Sequence, residues 1–208
     1  YKGDRVGIWS PNRPEWVLVQ FATARIGAIL VNINPSYQTS ELEYALGHAG
    51  VSTLIAASHF RDTDYLAKLF VLAPELATAR PGELRAKKIP KLKRVIQLGP
   101  DPVQGAMSFD EVMDRGGVAP KSRLDGISAS LSPDDAINIQ FTSGTTGRPK
   151  GATLSHRSII NNAISTARAM HLTPEDILCI PVPLYHCFGM VLGNLAAISY
   201  GAKMVFPS

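Results

Sequence analysis

The sequence predicts an α/β fold in which mostly parallel sheets are flanked by helices. Short, mostly apolar and β-branched runs alternate with helical segments, as is typical of strands buried on both faces. The composition agrees, because 45% of the 208 residues are hydrophobic and 18% are charged, which excludes a disordered chain. Two cysteines, Cys179 and Cys187, are too few for a secreted disulfide framework and indicate a reducing, cytoplasmic location.

The first portion of the chain, residues 1–73, is predicted to contain three strands, each followed by a helix. The strands are expected at residues 6–9, 28–33 and 52–56. The first helix begins near Pro14, since proline suits the first helical position. The other two helices are predicted at residues 41–50 and 62–72, the former with a capping box formed by Ser40 and Glu43.

Residues 74–133 are predicted to be a connecting segment between two sub-sheets, with a strand at 95–98 and a short helix at 109–113. Within it, residues 80–94 hold seven cations against the single acid Glu83: Arg80, Arg85, Lys87, Lys88, Lys91, Lys93 and Arg94. Since no aromatic residue lies among them to stack a base, a solvated loop is the favoured interpretation, and no nucleic-acid partner is expected.

The last portion, residues 134–208, is predicted to return to regular structure. Strands are expected at 136–141, 152–154 and 177–180, and a helix runs from the N-cap Ser155 to about residue 170. The apolar stretch 188–206 is interrupted by polar residues and divides at Gly201, so a helix followed by a strand is expected there and no membrane span. Both ends suggest cuts through a longer protein, and no signal peptide is expected.

Residues 142–151 form the pattern with the clearest chemical meaning. Ten residues include three glycines, three threonines, one serine and two cations. Glycines let backbone N–H groups approach an anion, and hydroxyls and cations add donors and charge, so the composition indicates a polyphosphate cradle. The spacing matches neither a Walker A loop nor the dinucleotide fingerprint. A flexible hairpin loop of small polar residues is the alternative.

Three motifs, in their order along the chain, resemble those of the adenylate-forming superfamily, which includes acyl-CoA synthetases. They are Arg25-Ile-Gly-Ala-Ile-Leu-Val-Asn-Ile-Asn-Pro35, Phe141-Thr-Ser-Gly-Thr-Thr-Gly-Arg-Pro-Lys-Gly151 and Pro183-Leu-Tyr-His-Cys-Phe-Gly189. The wider strings around Asn138, His156 and Cys187 are most similar to medium-chain acyl-CoA ligases. The resemblance implies that residues 1–208 are an incomplete large N-terminal, AMP-binding domain without the C-terminal domain.

The resemblance also implies a reaction and its site. It implies that ATP, with Mg²⁺, activates a carboxylic acid to acyl-AMP and that the acyl group is then transferred to CoA. The substrate class that it implies is a medium-chain fatty acid. Catalytic roles are expected for Lys150 and Thr142, and a pocket for the acyl group and carboxylate at Tyr185, His186 and Phe188, with the metal ligands unknown. The expected phosphate-binding residues are Thr142, Ser143, Gly144, Thr145, Thr146, Gly147, Arg148, Pro149 and Lys150.

Histidine and cysteine allow other interpretations. His186 can equally be a histidine satisfied by backbone, His156 is expected to begin a helix, and the remaining three histidines are expected at the surface. Neither zinc ligation nor a Cys–His nucleophile has the further residues it needs, so Cys179 and Cys187 are expected to be small buried side chains.

The function expected from these observations is an acyl-CoA synthetase fragment whose partners are small molecules: a fatty acid, ATP and CoA. An acyl-AMP ligase that loads a carrier protein is the alternative within the same chemistry. The non-enzymatic alternative is a nucleotide- or acyl-binding fragment that is inactive on its own. The oligomeric state stays open.

Overall fold

Strands and helices alternate along the chain in the computed structural model, which describes residues 1–118, 120–142 and 147–207. The described strands are β1 (Arg5–Trp9), β2 (Ile29–Ile33), β3 (Thr53–Ala57), β4 (His59–Phe60), β5 (Thr63–Asp64), β6 (Arg94–Leu98), β7 (Met107–Ser108), β8 (Ala136–Thr142), β9 (Lys150–Ser155), β10 (Ile177–Cys179) and β11 (Lys203–Val205). The described helices are α1 (Pro14–Arg25), α2 (Thr39–Ala49), α3 (Tyr65–Leu72), α4 (Phe109–Gly117), α5 (Lys121–Ala129), α6 (His156–Ala169) and α7 (Ala196–Tyr200), with a 3₁₀ turn at Pro74–Ala77 and a π-helix at Phe188–Leu195.

Seven of the described strands form the main sheet, in the order β7-β6-β3-β1-β2-β8-β9. All neighbouring pairs are parallel except β8 and β9, which are antiparallel, so the predicted α/β class with a mostly parallel sheet is confirmed. Because the parallel strands run the same way, their carboxyl ends share one edge of the sheet. That edge is where ligands bind in open α/β folds.

Two hydrophobic cores cover the two faces of this sheet. The adjacent residues Ile8 and Trp9 of β1 are both fully buried, one in each core. Helices α2 and α3 pack on the face of Trp9, and α1, α6 and the π-helix pack on the face of Ile8. Since side chains alternate between faces along a strand, a strand covered on both sides is apolar at most positions. This explains why the strands appear in the sequence as mostly apolar runs without polar alternation.

The prediction that residues 74–133 join two sub-sheets is wrong. β6 and β7 lie within this segment, and β6 pairs with β3 of the main sheet. β8, from the last portion, pairs with β2 of the same sheet, so the segment joins strands of one sheet. Strand order depends on contacts between residues far apart in sequence, which local patterns do not reveal. The three-part division at residues 73 and 133 stays a prediction.

The beginnings of two helices differ from the prediction. The capping box of α2 is formed by Gln38 and Glu41, whose carboxylate accepts from the Gln38 backbone N–H at 2.9 Å, and not by Ser40 and Glu43. Helix α3 begins at Tyr65, because β4 and β5 form a short antiparallel hairpin first. The carboxylate of Asp64 then caps α3. Polar residues clustered near a helix start offer several caps, and packing selects one.

The predicted division of the apolar stretch near the end of the chain is confirmed. Helix α7 ends at Gly201, whose φ of 73° lies in the left-handed region, and β11 follows. None of the helices within residues 1–118, 120–142 and 147–207 combines the length and the apolarity that a membrane span requires.

Candidate functional site

The two predicted catalytic residues lie opposite each other at the carboxyl edge of the sheet. Thr142 is the last residue of β8 and Lys150 the first residue of β9, and they are directly paired in the antiparallel ladder. The Thr142 hydroxyl oxygen lies 3.5 Å from the Lys150 carbonyl oxygen. Directly opposed residues extend their side chains to the same face of a sheet, so pairing brings a hydroxyl and an ammonium group together. Both residues are exposed.

The loop between these residues is described only in part. Ser143, Gly144, Thr145 and Thr146, all predicted to bind phosphate, lie outside the described residues. On the return side, Gly147 has a φ of 85°, in the left-handed region that glycine adopts without strain, and Arg148 is exposed. The predicted loop therefore begins and ends at one point on the sheet edge.

Helix α2 holds the return side of the loop. The Tyr44 hydroxyl donates a hydrogen bond to the carbonyl oxygen of Pro149 at 3.2 Å. The Arg148 guanidinium lies 5.6 Å from the centroid of the same ring, at cation–π distance. The other aromatic contact of Tyr44 is with His48, stacked at 5.0 Å between centroids. Two consecutive loop residues are thus fixed by one tyrosine, which the sequence motifs do not identify.

An open cleft of about 580 Å³ lies between α2 and this side of the loop. Its lining includes the carboxylates of Glu41 and Glu43 together with Arg148. Glu41 already accepts from the Gln38 backbone N–H. No group of three His, Cys, Asp or Glu side chains that could hold a metal ion occurs in the part of the chain that the structure describes.

The segment predicted to line the acyl pocket is anchored at the same edge of the sheet. Asn12, which follows β1, donates to the Val182 carbonyl oxygen at 2.9 Å and accepts from the Leu184 N–H at 2.8 Å. Asn32 of β2 donates to the Tyr185 carbonyl oxygen at 3.2 Å. These bonds satisfy backbone groups of an irregular segment and so hold it against the strand ends.

The turn that contains His186 is tight and depends on glycine. A Cβ atom at Gly189 would collide with the backbone carbonyl of Pro183, so no other residue fits without a shift. The turn groups three predicted pocket residues: Tyr185 is half-buried, His186 is exposed, and Phe188 is 55% exposed. The need for a residue without a Cβ atom at position 189 explains the glycine that ends the motif.

The imidazole of His186 has one nitrogen engaged by backbone. Its Nδ1 accepts from the Phe188 N–H at 3.2 Å, so the neutral ring holds its proton on Nε2. The alternative interpretation, a histidine whose hydrogen bonds are made to backbone, therefore applies to Nδ1 only. Nε2 is the nitrogen that can donate to a carboxylate.

A buried polar network lies beneath this turn. Asn138 of β8 donates to the Asn32 side-chain oxygen at 3.0 Å, and Asn32 lies 3.3 Å from the Met190 sulfur through its side-chain nitrogen. From the same π-helix, Asn194 donates to the side-chain oxygen of Gln20 in α1 at 3.1 Å. All four polar residues are buried. Isolated amides within apolar segments do not predict such a network from sequence, because their partners lie far apart along the chain.

The two cysteines differ. Burial raises the pKa of the Cys187 thiol, and a hydrogen bond with Gln140 opposes this effect to a smaller extent. The raised pKa disfavours the thiolate form. Cys179 is exposed on β10 and Cys187 is half-buried, so the prediction that both cysteines are buried is wrong for Cys179 and holds only in part for Cys187. Strand β10 pairs with β11 in a two-stranded sheet of its own, away from the main sheet.

The other histidines lie where the sequence indicates. His156 is the first residue of α6, behind the N-cap Ser155. His48, His59 and His171 are exposed. His48 has an additional contact, the stacking on Tyr44 described above.

Comparison with known proteins identifies the family. The family model for AMP-binding enzymes matches residues 1–208. The human medium-chain acyl-CoA ligase ACSF2, mitochondrial, is 44% identical over 100% of this chain and 34% of its own length. The Bacillus subtilis protein YngI is 45% identical over 98% of this chain and 37% of its own length. The chain thus spans about a third of the length of these curated relatives.

Solved structures have the same fold. A long-chain-fatty-acid-CoA ligase, FadD1, from Archaeoglobus fulgidus superposes with a TM-score of 0.73 at 28% identity, over 98% of this chain and 35% of its own. MbtA from Mycobacterium smegmatis superposes with a TM-score of 0.76 at 25% identity, over 100% of this chain and 35% of its own. With its motifs, sheet order and loop position, the chain belongs to the AMP-binding enzyme family.

Proposed function

We propose that the protein containing this chain is an acyl-CoA synthetase that activates a fatty acid with ATP. The observation on which the proposal depends is the pairing of Thr142 with Lys150 at the two ends of a glycine- and hydroxyl-rich loop on the carboxyl edge of the sheet. The name of human ACSF2, a medium-chain acyl-CoA ligase, supports a medium-chain fatty acid as the substrate class.

The reaction has two steps. A carboxylate oxygen of the fatty acid attacks the α-phosphorus of ATP, the bond from that phosphorus to the bridging oxygen breaks, and pyrophosphate leaves. The thiolate of CoA then attacks the acyl carbon and AMP leaves with the electrons of the broken C–O bond. In the first step negative charge grows on the departing pyrophosphate, so the main demand is electrostatic stabilisation and positioning.

The loop residues can meet that demand. Lys150 and Arg148 place two cations beside the loop, and the Thr142 hydroxyl adds a donor on the same sheet face as Lys150. Ser143, Gly144, Thr145, Thr146, Gly147 and Pro149 complete the proposed phosphate-binding set. Charge-assisted hydrogen bonds to phosphate are about twice as strong as neutral ones, so the two cations, Lys150 and Arg148, are expected to contribute most to phosphate binding.

His186 is proposed to orient the reacting carboxylate. Its Nδ1 accepts from the Phe188 N–H, which leaves the Nε2 proton to donate. Tyr185 and Phe188 lie on the same turn and would contact the acyl chain. Met190 follows this turn in the π-helix. Its sulfur contacts the side-chain nitrogen of Asn32.

ATP and CoA are the proposed co-substrates. Mg²⁺ also belongs to the proposal, as the ion that neutralises phosphate charge when bound.

Two alternatives differ in acceptor and in activity. An acyl-AMP ligase that loads a carrier protein would share every residue named above, since the loop handles ATP and not the acceptor. A nucleotide- or acyl-binding piece without turnover is the proposal for residues 1–208 alone, because they span about a third of the relatives' length.

One experiment separates these possibilities. ATP–pyrophosphate exchange by the full-length protein is measured across straight-chain carboxylic acids of graded length, and acyl transfer is then compared with CoA and with a phosphopantetheinylated carrier protein. We expect maximal exchange at medium chain length and transfer to CoA. Absence of exchange with every acid would refute the proposal, and transfer to the carrier alone would favour the alternative.

The 208-residue chain alone is expected to form no acyl-CoA. The measurement is thioester formation from fatty acid, ATP and CoA, with the full-length protein as the positive control. Acyl-CoA formation by the isolated chain would contradict this expectation.

A cytoplasmic location is also proposed, from the sparse cysteines of the chain. The ACSF2 relatives are named as mitochondrial, so fractionation of cells that produce the full-length protein is the direct test. Recovery in an organelle would overturn the proposal.

A further inference from the structure

The basic segment at residues 80–94 is a loop up to the start of β6, as predicted, and it is anchored to the domain. Its apolar residues alternate with its cations and are buried: Leu84, Ala86, Ile89 and Leu92 are between 0% and 3% exposed. The Leu84 N–H bonds to the Lys93 carbonyl oxygen at 3.0 Å, and the Lys93 N–H bonds to that of Ser52 at 2.9 Å. Burying these side chains anchors the segment to the core of the domain.

The cations on this segment are all exposed. We call them the cationic surface: Arg80, Arg85, Lys87, Lys88, Lys91, Lys93 and Arg94. Within the described parts of the chain, none of the seven forms a salt bridge. Of the two acids close by in sequence, Glu75 accepts from the Lys87 backbone N–H through its carboxylate, and Glu83 is exposed. Seven cations held on one anchored segment therefore produce a strongly positive surface.

The cationic surface is at the opposite edge of the sheet from the proposed ATP site. Arg94 pairs with Thr53 at the amino ends of β6 and β3, whereas Thr142 lies at the carboxyl end of β8. The two edges are separated by strands of five residues, or about 17 Å. Phosphates of a substrate in the loop are thus not the ligand of these cations. An anionic partner of this surface would therefore be distinct from the substrates of the loop.

We propose that the cationic surface binds the anionic headgroups of a phospholipid bilayer, with the domain remaining outside the hydrocarbon core. Clusters of four to eight cations suit acidic lipids, each contributing to binding near the membrane surface. An exposed apolar side chain lies beside the cluster: Val71 is 59% exposed, and its carbonyl oxygen is 3.5 Å from the Lys88 ammonium nitrogen. Nucleic acid is disfavoured, since residues 80–94 include no aromatic side chain for base stacking.

The test is vesicle binding by the full-length protein. Co-sedimentation is measured with phosphatidylcholine vesicles and with vesicles that also contain phosphatidylserine, at low and high salt. The variant Arg85→Gln/Lys87→Gln/Lys88→Gln is compared with Arg115→Gln/Lys121→Gln/Arg123→Gln, which removes three exposed cations of α4 and α5 and changes the net charge equally. We expect wild type and control to bind only the phosphatidylserine vesicles at low salt, and the first variant to bind about 100-fold more weakly.

The outcomes are distinguishable. The single variant Lys88→Gln, with an expected loss of about fivefold, keeps the test valid if the triple variant is unstable. Unchanged pyrophosphate exchange in these variants is expected, because the surface is remote from the loop. Equal binding of both triple variants, or of both vesicle types, would overturn the proposal. Binding to a mixed-sequence oligonucleotide that exceeds vesicle binding and is lost in the first variant would also overturn it.

Discussion

The hydroxyl oxygen of Tyr44 on α2 lies 3.2 Å from the carbonyl oxygen of Pro149, across 105 residues of sequence. Pro149 directly precedes Lys150, so this hydrogen bond fixes the backbone from which the proposed catalytic ammonium group extends. Arg148 on the ring of Tyr44 adds a second attachment. Tyr44 is therefore a positioning residue in the proposed reaction.

The first prediction concerns the Tyr44 hydroxyl. Tyr44→Phe keeps the ring and removes the hydrogen bond, whose net contribution is about 1 kcal/mol. We expect kcat for ATP–pyrophosphate exchange to fall about fivefold, with KM for the carboxylic acid unchanged. Tyr200→Phe, which removes a hydroxyl bonded to Arg168 at the surface, is the control. Equal kinetics of the two variants would mean that Tyr44 does not position the loop.

The second prediction concerns Lys150. Lys150→Ala removes the ammonium group that is proposed to stabilise departing pyrophosphate, and the loss of one such electrostatic contact lowers rates about 100-fold. The adenylation step, measured as pyrophosphate exchange by the full-length protein, should fall accordingly. Lys203→Ala, at the first residue of the exposed strand β11, is the control. An unchanged exchange rate in Lys150→Ala would refute the assigned role.

A third prediction follows from the pairing of Thr142 with Lys150. Since the two residues are opposed in the ladder and are proposed to contact the same phosphates, their substitutions should not be additive. Thr142→Val alone should lower exchange about fivefold, the value of one hydrogen bond. In the Lys150→Ala background the same change should have a smaller effect. Full additivity in the double-mutant cycle would indicate independent roles.

The fourth prediction tests the two interpretations of His186. Asparagine can accept from the Phe188 N–H as Nδ1 does, but it lacks the Nε2 donor in the same place. If Nε2 orients the carboxylate, both His186→Ala and His186→Asn should raise KM for the carboxylic acid about tenfold and leave KM for ATP unchanged. Restoration of wild-type KM by asparagine would favour the purely structural interpretation.

The fifth prediction concerns stability and pH. Burial lowers the pKa of the His156 imidazole below its usual 6.5, partly opposed by the charge of Asp135, so the folded protein favours the neutral ring. As the pH falls through 6.5 the unfolded chain takes up a proton first, and the contribution of His156 to the free energy of unfolding is lost. The melting temperature of His156→Gln should therefore fall less than that of wild type between neutral pH and pH below 6.

The control for this measurement is His171→Gln, which changes an exposed histidine after α6. It should follow the wild-type pH dependence. If His156→Gln follows it as well, burial of the imidazole does not couple protonation to folding.

Local patterns were sufficient for most of the elements. Pro14 at the first position of α1, Ser155 as the cap of α6 and Gly201 at the end of α7 are correctly placed because each depends on the backbone chemistry of one residue. The cap of α2 is not, since several polar residues near its start compete and tertiary packing selects Gln38. The same holds for Cys179, whose exposure depends on where the small sheet of β10 and β11 lies.

The sequence by itself determined the α/β class, the family resemblance and the chemical character of the loop, because these follow from periodicity and from residue types at short spacing. Tertiary structure alone decided that Thr142 faces Lys150, that Tyr44 holds Pro149, and that residues 80–94 form an anchored cationic surface. The reason is physical: strand order and helix packing bring together residues separated by tens of positions, and their contacts depend on burial in two shared cores that no local pattern specifies.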